Sequence, residues 1–127
     1  MNFHDLARLT DAVYQADLSK LRELQERERN IRAHLQDLDD QIREALESAV
    51  SQDPDWRAIG ADQAWRTWLA RRRSTVNMEL ARTLAQKSEA LARVRRSFAR
   101  NQVTGELSNQ ELAHSRARRA RLSEENP

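Results

Sequence analysis

Residues 21–49 read LRELQERERNIRAHLQDLDDQIREALESA. Within them Leu21, Leu24, Glu28, Ile31, Leu35, Leu38, Ile42, Ala45 and Ala49 recur at alternating intervals of three and four. That is the seam of a coiled coil, sustained for about four heptads and interrupted by one charge, Glu28. Upstream, Leu6, Leu9, Val13 and Ala16 keep the three-four rhythm but stand one residue out of phase with Leu21. A slip of that kind predicts different winding in the first turns. The first helix is expected over about residues 5–50.

A second pattern runs from Asp62 to Val103, through Trp65, Leu69, Arg72, Val76, Leu80, Leu84, Lys87, Leu91, Val94 and Phe98. Its three consecutive intervals of four predict a stutter. The second helix is expected over about 62–104, matching the first in length. Between them, residues 51–62 hold Asp53-Pro54, Gly60 and Asp62. Asp before Pro suits a helix start and Gly a helix stop, so one short turn of helix is expected over Pro54–Ile59, with Asp62 capping the next helix. Gly105 allows two readings. Ser108 and Glu111 have capping-box spacing and Leu107 and Leu112 staple spacing, as in a bend or a separate C-terminal helix over about 108–122. A continuous helix carrying one glycine, at a cost of about 1 kcal/mol, is the other reading. Residues 123–127 are expected to be disordered.

The composition agrees with this pattern. Ala, Glu, Lys, Leu and Arg supply 66 of the 127 residues, while two Gly and two Pro cannot punctuate a many-stranded sheet. Leu, Ile, Val and Phe total only 25, enough for a two-helix seam but few for a globular core. The fold class expected is all-α, a long antiparallel two-helix coiled-coil hairpin in a single domain. The net charge of +2 conceals a division: residues 1–50 carry −4 and residues 61–127 carry +7. Arms of opposite charge favour pairing within the chain over association of like arms.

No catalytic constellation emerges, and an enzyme is not expected. The chain has no Cys, its two glycines form no phosphate-binding loop, and His4, His34 and His114 are scattered. No cofactor or metal is expected. The first residues lack the pattern of a secretory signal and no stretch is apolar enough to span a bilayer, so a cytoplasmic location is expected. Trp56, Trp65 and Trp68 cluster near the hairpin end. They either fill the widening end of the coil or anchor a partner. Arg71–Arg73, the group Arg93, Arg95, Arg96 and Arg100, and the group Arg116, Arg118, Arg119 and Arg121 form three basic runs. The third lies beyond the paired arm and has the best claim to an external acidic partner. Few aromatics stand among these arginines, which weighs against nucleic acid.

The opening Leu6-Ala7-Arg8-Leu9-Thr10, the mid-chain connector, the second-helix start Ala64-Trp65-Arg66-Thr67-Trp68-Leu69 and the basic C-terminal tail together resemble the flagellar export protein FliJ family. That family is similar in turn to the stalk proteins of type III secretion and to the coiled coil of the rotary ATPase gamma subunit. The resemblance implies a non-enzymatic stalk or escort at the cytoplasmic face of the flagellar base. Its partners would be the export ATPase ring, the export gate and export chaperones. Trp65, Trp68 and Arg72 would lie in the gate-contact region, and Arg116, Arg118, Arg119 and Arg121 would face the ATPase. Two other functions suit the residues: a self-associating coiled-coil scaffold and a basic helical nucleic-acid binder.

Overall fold

The computed structural model describes residues 2–51 and 56–125, with side chains over residues 2–48 and 60–125. It is an all-α helical hairpin of two long helices packed against each other. Helix α1 spans Phe3–Ser51 and helix α2 spans Trp56–Glu125. Asn2 caps α1: its Oδ1 accepts the backbone N–H of Asp5 at 2.8 Å, and Asp5 itself places negative charge in the positive first turn. The backbone N–H of Phe3 donates to Glu111 Oε2 on α2 at 3.3 Å, so the facing helix satisfies another free donor of the first turn.

Helix α2 is longer than the sequence pattern predicts at both ends. It begins at Trp56, so Gly60 and Asp62 lie inside it rather than ending and starting helices. No glycine among the described residues has a positive φ, which a glycine stop requires. Helix formers surround Gly60, and the cost of one helical glycine is smaller than that of breaking and renucleating the helix. The expected separate turn over Pro54–Ile59 is therefore replaced, from Trp56 onward, by the first turn of α2. Asp53, Pro54, Asp55 and the Trp56 side chain lie outside the described residues. Of the two readings at Gly105 the continuous helix holds: α2 runs unbroken through it and on to Glu125, into the stretch expected to be disordered. The capping box does not form because α2 does not start there, so the backbone N–H groups it would satisfy are bonded within the helix. Ser108 is buried, and Glu111 receives the Phe3 N–H. Asn126 and Pro127 lie outside the described residues.

The hairpin packs as two compact units, Glu23–Lys87 and Met1–Arg22 with Ser88–Pro127. In the first unit Leu38, Leu69 and Val76 form a core, with Ile31, Leu35 and Ile42 packed against it. Leu69 and Val76 are 0% exposed. The α1 positions are those of the predicted seam. Two charged breaks in the seam face each other: Lys87 Nζ donates to Glu28 Oε1 at 2.8 Å, and Arg32 Nε to Glu28 Oε2 at 3.2 Å. Hydrogen bonds from Lys87 and then Arg32 hold the Glu28 carboxyl below the usual carboxylate range. Arg73 Nε donates to Asp39 Oδ1 at 2.6 Å across the helices, and that bond raises the arginine's pKa further. Polar pairs of this kind within a seam specify register.

In the second unit the seam is polar. Thr10 Oγ1 and Thr104 Oγ1 lie 2.6 Å apart, Thr10 also donates to Asn101 Oδ1 at 3.2 Å, and Asn101 Nδ2 donates to Asp11 Oδ1 at 3.2 Å. The Tyr14 and Phe98 rings meet at 5.6 Å between centroids. Here the predicted phase is corrected. Leu9 and Val13 are 54% and 47% exposed, while Ala7, Thr10, Tyr14 and Asp17 are less exposed and continue the Leu21–Leu24 rhythm without a slip. On α2 the buried positions Leu69, Val76, Thr83, Ala90, Ser97 and Thr104 recur every seven residues, whereas the expected Leu84 and Phe98 are exposed. With Arg73 facing Asp39 as the intervening member, the predicted stutter disappears. Small hydroxyl side chains are tolerated because each bonds within its own helix: Thr83 to the Glu79 carbonyl, Ser97 to that of Arg93 and Thr104 to that of Arg100.

Candidate functional site

Trp65 and Trp68, three residues apart on α2, stack on the outer face of the hairpin. Their ring centroids are 5.2 Å apart and their planes 6° from parallel. They are 47% and 53% exposed. The stack is local, worth about 0.5–1.5 kcal/mol beyond area burial. The neighbouring Leu69, not either tryptophan, closes the seam. A shallow groove beside Trp68 is lined by Gly60, Ala64, Thr67 and Arg71. No atom lies within 4 Å of where a Gly60 Cβ would stand, so that edge of the groove is open. Covering the exposed half of each ring would contribute about 2–3 kcal/mol per tryptophan. Arg72 is half-buried beside this face. Arg66 is half-buried as well, and its Nε has no hydrogen-bond partner among the described residues.

The second candidate surface belongs to the other unit. Phe3 at the start of α1 meets Glu111 and shares a groove with His114 and Arg118, so among the described residues most of 112–125 of α2 continues past the start of α1. This overhang carries Arg116, Arg118, Arg119 and Arg121, all exposed. At successive steps of 100° they point in several directions, forming a collar of positive charge. Arg118 also borders a groove with Phe3, Leu107, Gln110, Glu111 and His114. The stretch extends an already nucleated helix with little of α1 to pack on, so contact with a partner would stabilise it.

Trp65, Trp68 and Arg72 thus lie in one unit and the four overhang arginines in the other. Sequence reasoning missed the Glu28–Lys87 and Thr10–Thr104 pairings. The first had a signal, since the acidic Glu28 breaks the seam of one arm and the basic Lys87 that of the other. Among the described residues there is no cluster of His, Asp and Glu able to hold a metal ion, and no helix is long and apolar enough to cross a membrane. No known protein family, curated protein or solved structure matches the chain.

Proposed function

We propose that the chain is a non-enzymatic helical-hairpin adaptor of the protein-export type, acting as a stalk or escort at the cytoplasmic face of a flagellar or type III export apparatus. The observation that carries this reading is the arginine-bearing end of α2 over 112–125, which runs on past Glu111, where α1 begins. The export ATPase ring is the proposed acceptor for Arg116, Arg118, Arg119 and Arg121. The exposed Trp65–Trp68 stack, with Arg72 beside it, is the proposed contact for the export gate or an export chaperone. A scaffold that self-associates through its seam is less favoured, because Leu38, Leu69 and Val76 already fill that seam within one chain.

The test is binding of the full chain to the purified export ATPase of the same organism. The expected result is a complex that is lost on truncation after Glu111 and weakened by Arg118→Glu with Arg119→Glu, while helicity of residues 3–111 persists. Absence of binding by a folded full-length chain would overturn the export reading. A gene placed among export genes would support it independently. Steep salt-dependent affinity for arbitrary DNA through the same arginines would instead favour a nucleic-acid binder.

A further inference from the structure

One flank of the unit formed by Met1–Arg22 and Ser88–Pro127 is apolar and unpartnered. On α2, Ala99, Arg100, Val103 and Thr104 line a groove together with Thr10 of α1. Leu9 and Val13 adjoin Thr10 on α1, at one residue before and three after. Heptad translation places Val13 on the groove's side, and Leu9, one helical turn before Val13, shares that face. Arg27, two heptads after Val13, lines the corresponding groove in the other unit with Glu79 and Gln86, which precede Arg100 by three and two heptads. Leu9, Val13 and Val103 are 54%, 47% and 55% exposed. Three branched apolar side chains flanking one groove at helical spacing form a surface unlike the scattered apolar residues of an ordinary solvated face.

The α2 edge of this groove is basic. Arg93, Arg96 and Arg100 are exposed and none forms an ion pair among the described residues. They recur at intervals of three and four, so they line one side of α2. We infer that this groove receives an amphipathic helix of a partner protein, whose apolar stripe covers Leu9, Val13 and Val103 and whose acidic flank pairs with Arg93, Arg96 and Arg100. The apolar floor favours a helix over nucleic acid, whose phosphates would leave these side chains uncovered. The basic wall selects an acidic helix over a neutral one. Contact over Leu9 to Ala16 spans about two turns of such a helix, forming a local three-helix bundle. The inference stands apart from the export reading, since it uses neither the overhang nor the tryptophans.

The probe is a labelled peptide of about three heptads with leucines along one stripe and glutamates beside it, compared with a twin carrying lysines in place of the glutamates. Fluorescence anisotropy with the full chain at low salt is expected to show binding of the glutamate peptide, with a Kd on the order of 10 μM, and no binding of the lysine twin. Val103→Asp and, separately, Val13→Asp should weaken it about tenfold, the cost of opposing a carboxylate to an apolar stripe. Arg96→Glu with Arg100→Glu should transfer the preference to the lysine twin. All four positions are exposed, so the variants should keep the parental melting curve; Val103→Ser, expected to weaken binding less than Val103→Asp, repeats the test without a new charge. No binding, equal binding of the two peptides, or binding indifferent to Val103→Asp would overturn the inference. A dimer of the chain that Val13→Asp dissociates would assign the groove to a second copy, and duplex DNA binding that survives Val103→Asp would make the arginines a phosphate surface. Either result would overturn it too.

Discussion

Leu69 and Trp68 are neighbours in sequence and opposites in the structure, which makes them a sharp pair for mutation. Leu69 is 0% exposed and packs with Leu38 and Val76. Replacing it with Ala removes buried methyl groups and leaves a cavity, for which the established range is about 2–5 kcal/mol. A two-helix seam has solvent on either side, so the gap partly closes or fills with water, and we expect the lower part of that range, about 2–3 kcal/mol. Trp68 is 53% exposed and its principal aromatic contact is Trp65. Trp68→Ala loses that stack, about 0.5–1.5 kcal/mol, but gains about 0.5 kcal/mol of helix propensity. The covered part of the ring adds about 1 kcal/mol of lost apolar burial, so the net loss should be about 1–2 kcal/mol, still below that of Leu69→Ala. The larger side chain is therefore expected to matter less to stability, and more to partner binding. Urea titrations followed by far-UV circular dichroism and by tryptophan fluorescence give the free energies by linear extrapolation. Coincidence of the two probes checks that the hairpin unfolds in one step. A Trp68→Ala variant less stable than Leu69→Ala would mean that the tryptophans belong to the core, refuting both the assignment of the seam and the case for a partner surface.

Gly105→Ala should stabilise the hairpin by about 1 kcal/mol, because Gly105 is helical and a Cβ there meets nothing within 4 Å; a Tm rise of about 3–5 °C is the readout. Glu28 has its pKa lowered by Lys87 and Arg32, so its contribution to stability is present above the ordinary carboxylate pKa and is lost as pH falls through the lowered value. Between about pH 5 and pH 3 the parent should therefore lose more of its Tm than Glu28→Gln does; parallel curves would deny that the pair is formed. Thr10→Val and Thr104→Val should each cost about 0.5–1.5 kcal/mol, and the double variant less than both together, because the second change removes a hydroxyl whose partner has already gone. Strict additivity in that cycle would place the two hydroxyls apart in solution.

The apolar seam of Leu24, Ile31, Leu35, Leu38 and Ile42 was legible because each position carries a large apolar side chain and each interval keeps a helical period. The charge division between the arms was equally plain, and it fits an antiparallel pair joined by Asp39–Arg73 and Glu28–Lys87. Outside that stretch hydropathy misled. Leu9, Val13, Leu84 and Phe98 attract a reader looking for apolar side chains, yet the seam passes through Thr10, Tyr14, Thr83 and Ser97 instead. The Trp65–Trp68 pair was visible from its spacing, but whether it filled the coil or faced outward was not. The i, i+3 interval specifies a shared face and leaves open which way that face points.

The helical content, the two arms, their opposite charges and the segment where the seam is strongest can all be read from the residues alone. These follow from local propensity, a seven-residue period and charge counts, all of which belong to one strand of chain. The phase of the seam in the polar unit, the continuity of α2 through Gly60 and Gly105, and the run of α2 beyond Glu111 emerge only once the two helices are packed. Each depends on what the facing helix supplies. A threonine is a seam residue when another hydroxyl lies 2.6 Å across from it. A glycine that keeps a helical φ, as both do here, leaves the helix intact.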